Sequence, residues 1–514
     1  MNHVLLLPIL LPMFAGGLLT AMPMHRLRAQ RVVCMTATLL LVPAAALLVG
    51  RAAGGGIDVY QLGSWQAPFG IVLQLDRLGA LMLALTALLA PAALAAAGPE
   101  LARAGRHFHA LFQFQLMGLN GAFLAGDLFN LFVFFEILLI ASYALLIHGA
   151  GRERIGAGLH YVLLNLVASS FFLVAIGMLY GLTGTLNLAH MGLRLQGLPD
   201  ADVPLAAAAG VMLMLVFGLK AAIFPLYFWL PRAYAGTAGP VAALFAIMTK
   251  VGLYAMLRCD ALVFGAAQGL LVTFMQAWLP VLALATLAAG AVGALAATSL
   301  RSLTSYLVLA SVGLLGIAVG MQTAAAWAAA LYYLLSTTLC TAALFLLADA
   351  LEPAADGQGP VVAGTGTRLA GLLYLTGTVV AVGLPPLSGF IGKVMILRAV
   401  PPDSAIVYWP AILVSGLVLL VAASRTGTRL LWRLPHDGAK VAQEGNTPVP
   451  PRVRSRPEGR KLACSAFLLA CNVMLTAFAA PVSAYVSQAA AQLQDRTAYI
   501  RAVLPAGVPL QTQR

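Results

Sequence analysis

Apolar residues run along this chain in long unbroken stretches, with polar residues gathered into short gaps between them. A helix rises 1.5 Å per residue, so about 20 apolar residues cross the hydrocarbon core of a bilayer. Runs of that kind lie at 3–22, 32–50, 76–98, 108–126, 128–148, 157–182, 204–230, 238–258, 277–299, 303–321, 323–350, 369–398, 404–432 and 462–486. They predict an all-α polytopic membrane protein of about 14 transmembrane helices. Two weaker stretches, 184–197 and 261–275, are candidates for amphipathic pieces along the interface.

Composition agrees. Hydrophobic residues make up 61% of the chain and charged residues 9%, and the mean hydropathy is +0.92. Such a balance excludes a soluble domain of this length. The first run starts at Val4 with almost no basic stretch before it and reads as a retained helix, not a cleaved signal.

The net charge of +13 raises the question of nucleic acid. However, the basic residues sit in short gaps and in one segment, Lys440 to Lys461, with no aromatic residues interleaved, so no nucleic-acid partner is expected. They read instead as orientation signals, because short cytoplasmic loops collect Arg and Lys. Arg26, Arg28 and Arg31 put the first gap inside. Alternation then puts Arg103, Arg106, Arg152, Arg154, Arg232, Arg301 and the 433–461 stretch inside as well. The gaps at 51–75 and 183–203, forced outside, are poor in basic residues. Both termini are therefore expected on the outer face of a bacterial inner membrane.

Two of the runs are interrupted. Pro225, lacking an N–H, frees the carbonyl of Ala221 in the seventh run, and Pro385 and Pro386 free those of Ala381 and Val382 in the twelfth. Interrupted helices in corresponding positions of two halves point to an inverted-repeat transporter core. Helices 4–8 (108–258) and 9–13 (259–433) would be the two five-helix repeats. Helices 1–3 (1–107) precede them, and a basic loop (434–461) and a last helix with its tail (462–514) follow. Five is an odd number, so the second repeat enters the membrane inverted.

Candidate chemistry lies in the few charges inside the runs. Arginines outnumber lysines 25 to 5, yet Lys220, Lys250 and Lys393 all fall within spanning stretches, as does Glu136. A charge at the bilayer centre costs ~2.5–3.5 kcal/mol on insertion scales and usually marks an ion or proton path. A lysine amine, unlike a guanidinium, can lose its proton when desolvated. Glu136 and Lys220 sit at similar depth, which allows an ion pair that works as an electrostatic switch or as a plain structural bridge. Lys250 has no acidic neighbour in sequence and suits a relay, and Lys393 follows the second break by about two turns.

Secondary candidates are weaker. His148, His160 and His190 read as interface or packing residues before proton carriers. Asp127 caps the fifth run, with cation uptake as its minor reading. Tyr333, Ser336, Thr337 and Thr341 form a polar seam on the eleventh run, which either holds water or hydrogen-bonds neighbouring helices. The G-T-G at 364–366 lacks the rest of a dinucleotide fingerprint. Five scattered cysteines form no metal or haem motif, so neither cofactor nor metal is expected.

The runs GDLFNLFVFFEILLIASYALLIHG, GLKAAIFPLYFWLPRAY and PVAALFAIMTKVGLYAMLR carry a resemblance. Over residues 4–430 the chain resembles the antiporter-like subunits shared by respiratory complex I and the multisubunit Mrp (Sha, Pha) cation/proton antiporters, and most of all the D subunits of the latter. The resemblance implies a fourteen-helix fold with inverted repeats, Glu136 paired with Lys220, Lys250 as the central relay and Lys393 in the second half-channel. It also implies other membrane subunits as partners, exchange of protons for Na+ or K+, and a secondary transporter instead of an enzyme. Relatives often carry histidine where this chain has Tyr227, and histidine or lysine on the eleventh helix where it has Ser336, Thr337 and Thr341. That shifts weight onto internal water between the halves. The alternative implied by the same motifs is a proton-pumping, N-like subunit of NADH:quinone oxidoreductase or a related hydrogenase complex. A vestigial structural role sits poorly with four retained intramembrane charges, and acyl transfer by a lone histidine lacks a partner base.

Overall fold

The computed structural model describes residues 3–149, 151–264, 274–351, 367–432 and 459–504. The G-T-G at 364–366, nearly all of the basic 434–461 loop and the middle of 261–275 lie outside the described residues.

Helices dominate. In chain order they are α1 (Leu7–Ala21), α2 (Leu27–Ala53), α3 (Arg77–Ala96), α4 (Phe108–Leu124), α5 (Leu128–Leu146), α6 (Arg152–Thr183) and the short α7 (Leu188–Gln196). Then come α8 (Val203–Ala221), α9 (Trp229–Gly236), α10 (Gly239–Phe245), α11 (Met248–Cys259), α12 (Leu279–Ala296), α13 (Leu300–Gly320) and α14 (Ala324–Leu351). The series closes with α15 (Thr367–Val382), α16 (Ser388–Ala399), α17 (Ala405–Gly427), α18 (Gly459–Ala477), α19 (Ala479–Gln494) and α20 (Arg496–Val503). Among the described residues, twelve helices are long and apolar enough to cross a membrane. Two more runs are apolar but shorter: α4 has 17 residues, and α15 stops at the break.

Caps fix several starts. Asp76 accepts from Gly79 N at 2.7 Å, Asp127 from Asn130 N at 2.6 Å and Ser299 from Ser302 N at 3.1 Å, each filling an orphan donor of the first turn. Asn187 caps α7, whose apolar residues Leu188, Ala189 and Met191 are buried against the protein.

Three features depart from the run-by-run reading. The 51–75 gap holds an antiparallel hairpin, β1 (Asp58–Gln61) with β2 (Val72–Leu75), which four-residue strands are too short to announce by hydropathy. Gly126 N donates to Val72 O and Leu128 N to Leu186 O, both at 2.9 Å, so the pairing spreads over the start of α5. The eighth run turns at Ala246–Ile247 and continues to Phe264. The last run divides at Phe478 into α18 and α19, and α20 then folds across α7 and β1. Gln492 accepts from Arg77 N at 3.0 Å and donates to Gly55 O at 3.1 Å, which ties this C-terminal limb to the hairpin end.

Helix α14 is the hub. It packs on α10, α13, α15, α16, α18 and α19, and nearly all of it is buried. Ion pairs clamp both ends of the bundle. At the hairpin end Arg258 is buried against Asp76, with Tyr254 OH 2.8 Å from its guanidinium. At the other end Asp349 bridges Arg301 at 2.6 Å and Lys461 at 2.9 Å, while Gly239 N donates to it at 3.3 Å. One carboxylate thus joins the starts of α10, α13 and α18 to the end of α14.

Candidate functional site

Helix α8 ends one residue after Lys220. Ala222 turns left-handed at φ +63°, and Ile223 N reaches back to Gly218 O at 2.8 Å. Trp229 Nε1 takes up the Leu219 carbonyl at 3.1 Å, and Thr286 Oγ1 of α12 receives Phe224 N at 2.8 Å. The break is therefore held by α9 and by α12. Tyr227 lies in this turn, half-buried between the rings of Phe224 and Phe228.

Lys220 is buried, and its Nζ has no hydrogen-bond partner among the described residues. It stands 5.4 Å from the centroid of the Phe135 ring, a cation–π distance. Glu136 is close enough for its charge to act on Lys220. Even so, its carboxylate is bound by Ser169 Oγ of α6. The expected closed ion pair is thus replaced: the serine holds the acid, and Phe135, Phe172 and Phe217 pack together beside the amine. A hydroxyl satisfies a carboxylate without the full desolvation that a buried pair demands.

Lys250 is 0% exposed on α11. Its Nζ donates to Ser311 Oγ of α13 at 3.3 Å, and that hydroxyl donates to Val308 O at 2.6 Å. Gly252, two residues on, makes this depth available. A Cβ there would sit 2.6 Å from Ala221 N and 2.7 Å from Phe217 O, so only glycine lets α11 approach the end of α8. The same contact brings the Lys220 and Lys250 segments together.

The second break spans residues 383–387, with Gly383 left-handed at φ +79°. Lys393 Nζ, on α16, donates to Val382 O at 2.5 Å. That oxygen is one of the two carbonyls released by the Pro385–Pro386 pair. A cavity of about 260 Å3 lies beside the amine, between α16 and α17.

The polar residues of α14 divide. Ser336 Oγ lies 2.9 Å from Ser388 Oγ, at the start of α16, and the Asn472 carboxamide of α18 sits 3.2 and 3.0 Å from the two hydroxyls. Thr341 bonds its own helix at Thr337 O, 2.8 Å away. Tyr333 packs across Gly392, next to Lys393. His148 is a connector: its Nε2 lies 2.8 Å from Leu101 O, and burial pushes the imidazole below its ordinary pKa. Asp127 caps α5, and its second carboxylate oxygen is buried without a hydrogen-bond partner among the described residues.

Sequence reasoning missed Ser169, Ser311, Ser388 and Asn472. Each is a small polar residue in an apolar run, a faint signal because most such residues bond their own helix. The buried Asp76–Arg258 pair was hidden because its partners stand at the ends of distant runs.

Fold and site together define a polytopic helical membrane protein with lysines buried at and between two broken helices. The sequence profile described as NADH:quinone oxidoreductase/Mrp antiporter, TM matches residues 125–419, and the chain belongs to that family. It is 40% identical over 470 residues to the D subunit of a probable K+/H+ antiporter of Rhizobium meliloti, covering 84% of this chain and 87% of that one. It is 34% identical over 511 residues to the D subunit of the Na+/H+ antiporter of Alkalihalophilus pseudofirmus, covering 98% of this chain and all of the relative. Among solved structures, a chain of the Mrp complex from a Dietzia species superposes with TM-score 0.85 at 27% identity, over 98% of this chain and 100% of that one. A chain of Thermus thermophilus respiratory complex I shares the fold, with TM-score 0.74 at 24% identity over 95% of this chain and 99% of that one.

Proposed function

We propose that this chain is the proton-translocating, D-type subunit of a multisubunit monovalent cation/H+ antiporter. It works as part of a secondary transporter that the proton-motive force drives, and its chemistry calls for no redox cofactor. The observation that carries the reading is Lys250, wholly buried and bonded across to Ser311 of the second half. Sequence likeness to relatives named as K+/H+ and Na+/H+ antiporter subunits supports it.

In this reading a proton reaches Lys220 at the first break while Glu136 sets its charge from the adjacent helix. Lys250 receives it next, and Ser311, with internal water, hands it to the second half. Lys393 completes the path, its cationic form seated on Val382 O. Residues 108–258 and 259–433 act as the inverted repeats, with both termini on the outer face of the bacterial inner membrane. Na+ or K+ is exchanged by the assembled complex with its other membrane subunits. Lysines repel cations, so this chain carries the protons.

The test is cation-dependent proton flux in everted vesicles from antiporter-deficient cells expressing the whole complex. Adding K+ or Na+ should collapse an established pH gradient. A complex that assembles yet responds to neither cation, while its proton movement follows NADH oxidation, contradicts the reading.

A further inference from the structure

Helices α15 and α17 leave between them a groove of about 710 Å3 on the outside of the bundle. Leu372, Leu375 and Leu420 line its length, and the first two are 58% and 60% exposed. Its floor is closed, because Tyr374 OH donates to Ala423 O at 2.6 Å. Its chemistry changes at one end, where Arg368 and Ser424 line it and the exposed Arg425 and Arg429 stand nearby on the same helix as Ser424 or its continuation. Neither α15 nor α17 contains an acidic residue. At the other end the groove shares Leu384 and Leu420 with the cavity beside Lys393.

We propose that this groove is a binding site for an anionic phospholipid. The phosphate would sit at Arg368 and Ser424, and an acyl chain would run along the leucines toward Lys393. Charge picks out the occupant: basic residues at one membrane end of an apolar slot are the pattern that anionic headgroups take. Length agrees. From Arg368 to Leu384 the groove runs about 24 Å at 1.5 Å per residue, enough for an acyl chain of one leaflet, which occupies about half of the ~30 Å hydrocarbon core. The lipid's tail would then close the lateral opening beside Lys393, leaving that amine to meet water only from inside the protein.

Native mass spectrometry of the full-length chain, equilibrated with phosphatidylglycerol or phosphatidylethanolamine, tests this. Wild type should retain one phosphatidylglycerol at least tenfold more tightly than phosphatidylethanolamine. Arg368→Gln, at an exposed position, should remove most of that preference, and Gly371→Phe should block both lipids by filling the groove. If Gly371→Phe fails to fold, Leu372→Phe at the exposed rim serves instead. Equal retention of the two lipids by wild type, or unchanged phosphatidylglycerol in both the arginine and the groove-filling variants, overturns the proposal. So does a cross-link from Leu375→Cys to a helix of a neighbouring subunit in the assembled complex.

Discussion

Lys393 and Val382 are joined across the second helix break, with Nζ donating to the carbonyl oxygen at 2.5 Å. The residue four positions after Val382 is Pro386, which has no N–H to offer that oxygen. The break thus creates an acceptor, and the buried amine fills it. A protonated lysine gains a charge-assisted hydrogen bond there that the neutral amine lacks as a donor of equal strength. Pro386→Ala supplies a competing N–H, and it should lower cation-dependent proton flux several-fold while leaving assembly of the complex intact. Flux at the wild-type level would show that the released carbonyl has no part in the path.

Gly252 is the position where packing and path meet. Gly252→Ala places a methyl against the backbone of Phe217 and Ala221, and overpacking of this kind costs about 1–3 kcal/mol. The variant should lower the thermal midpoint and the flux together. Gly177→Ala, where a Cβ meets open space, is the matched control and should change neither.

The Asp76–Arg258 pair should govern stability. Burial alone would raise the Asp76 carboxyl, but Arg258 beside it outweighs burial and holds it below the usual carboxylate range. A depressed carboxyl stabilises above its unfolded pKa, and that contribution is lost only as pH falls through the depressed value. The pair should therefore be indifferent to pH between 5 and 8. Asp76→Ala leaves a buried guanidinium uncompensated and should cost about 3–5 kcal/mol. Replacing both partners with apolar residues should recover much of this in a thermal melt.

Asp127 should behave in the opposite sense. Burial pushes its carboxyl up from 3.8 to about 6, against the backbone N–H groups that favour the ionised form. A raised carboxyl is a burden at pH 8 that is relieved as pH falls through about 6, fully so below its unfolded value. Relative to Asp127→Asn, which keeps the cap, wild type should gain about 1–1.5 kcal/mol of stability from pH 8 to pH 5. Parallel pH profiles of the two proteins would contradict that assignment.

Much of this was legible beforehand. The runs, the two breaks and the four intramembrane charges could be read because hydropathy, proline and lysine act locally. Partners could not. Ser169 answers Glu136 from α6, Ser311 answers Lys250 from α13, and Asn472 reaches Ser336 from the last run. Each of these meetings depends on how the helices pack, which periodicity does not encode. The resemblance implies a titratable link on the eleventh run, where this chain has only Ser336, Thr337 and Thr341. In this chain the contact from Lys250 goes to the tenth run instead, through a hydroxyl.

Lys250 is the residue on which the proposed path turns. The decisive measurement is cation-dependent proton flux in vesicles carrying the assembled complex with Lys250→Ala, compared with wild type at equal complex content. A path through this amine predicts a loss of at least tenfold with assembly preserved, and a smaller loss for Ser311→Ala. Wild-type flux through an assembled Lys250→Ala complex would contradict it.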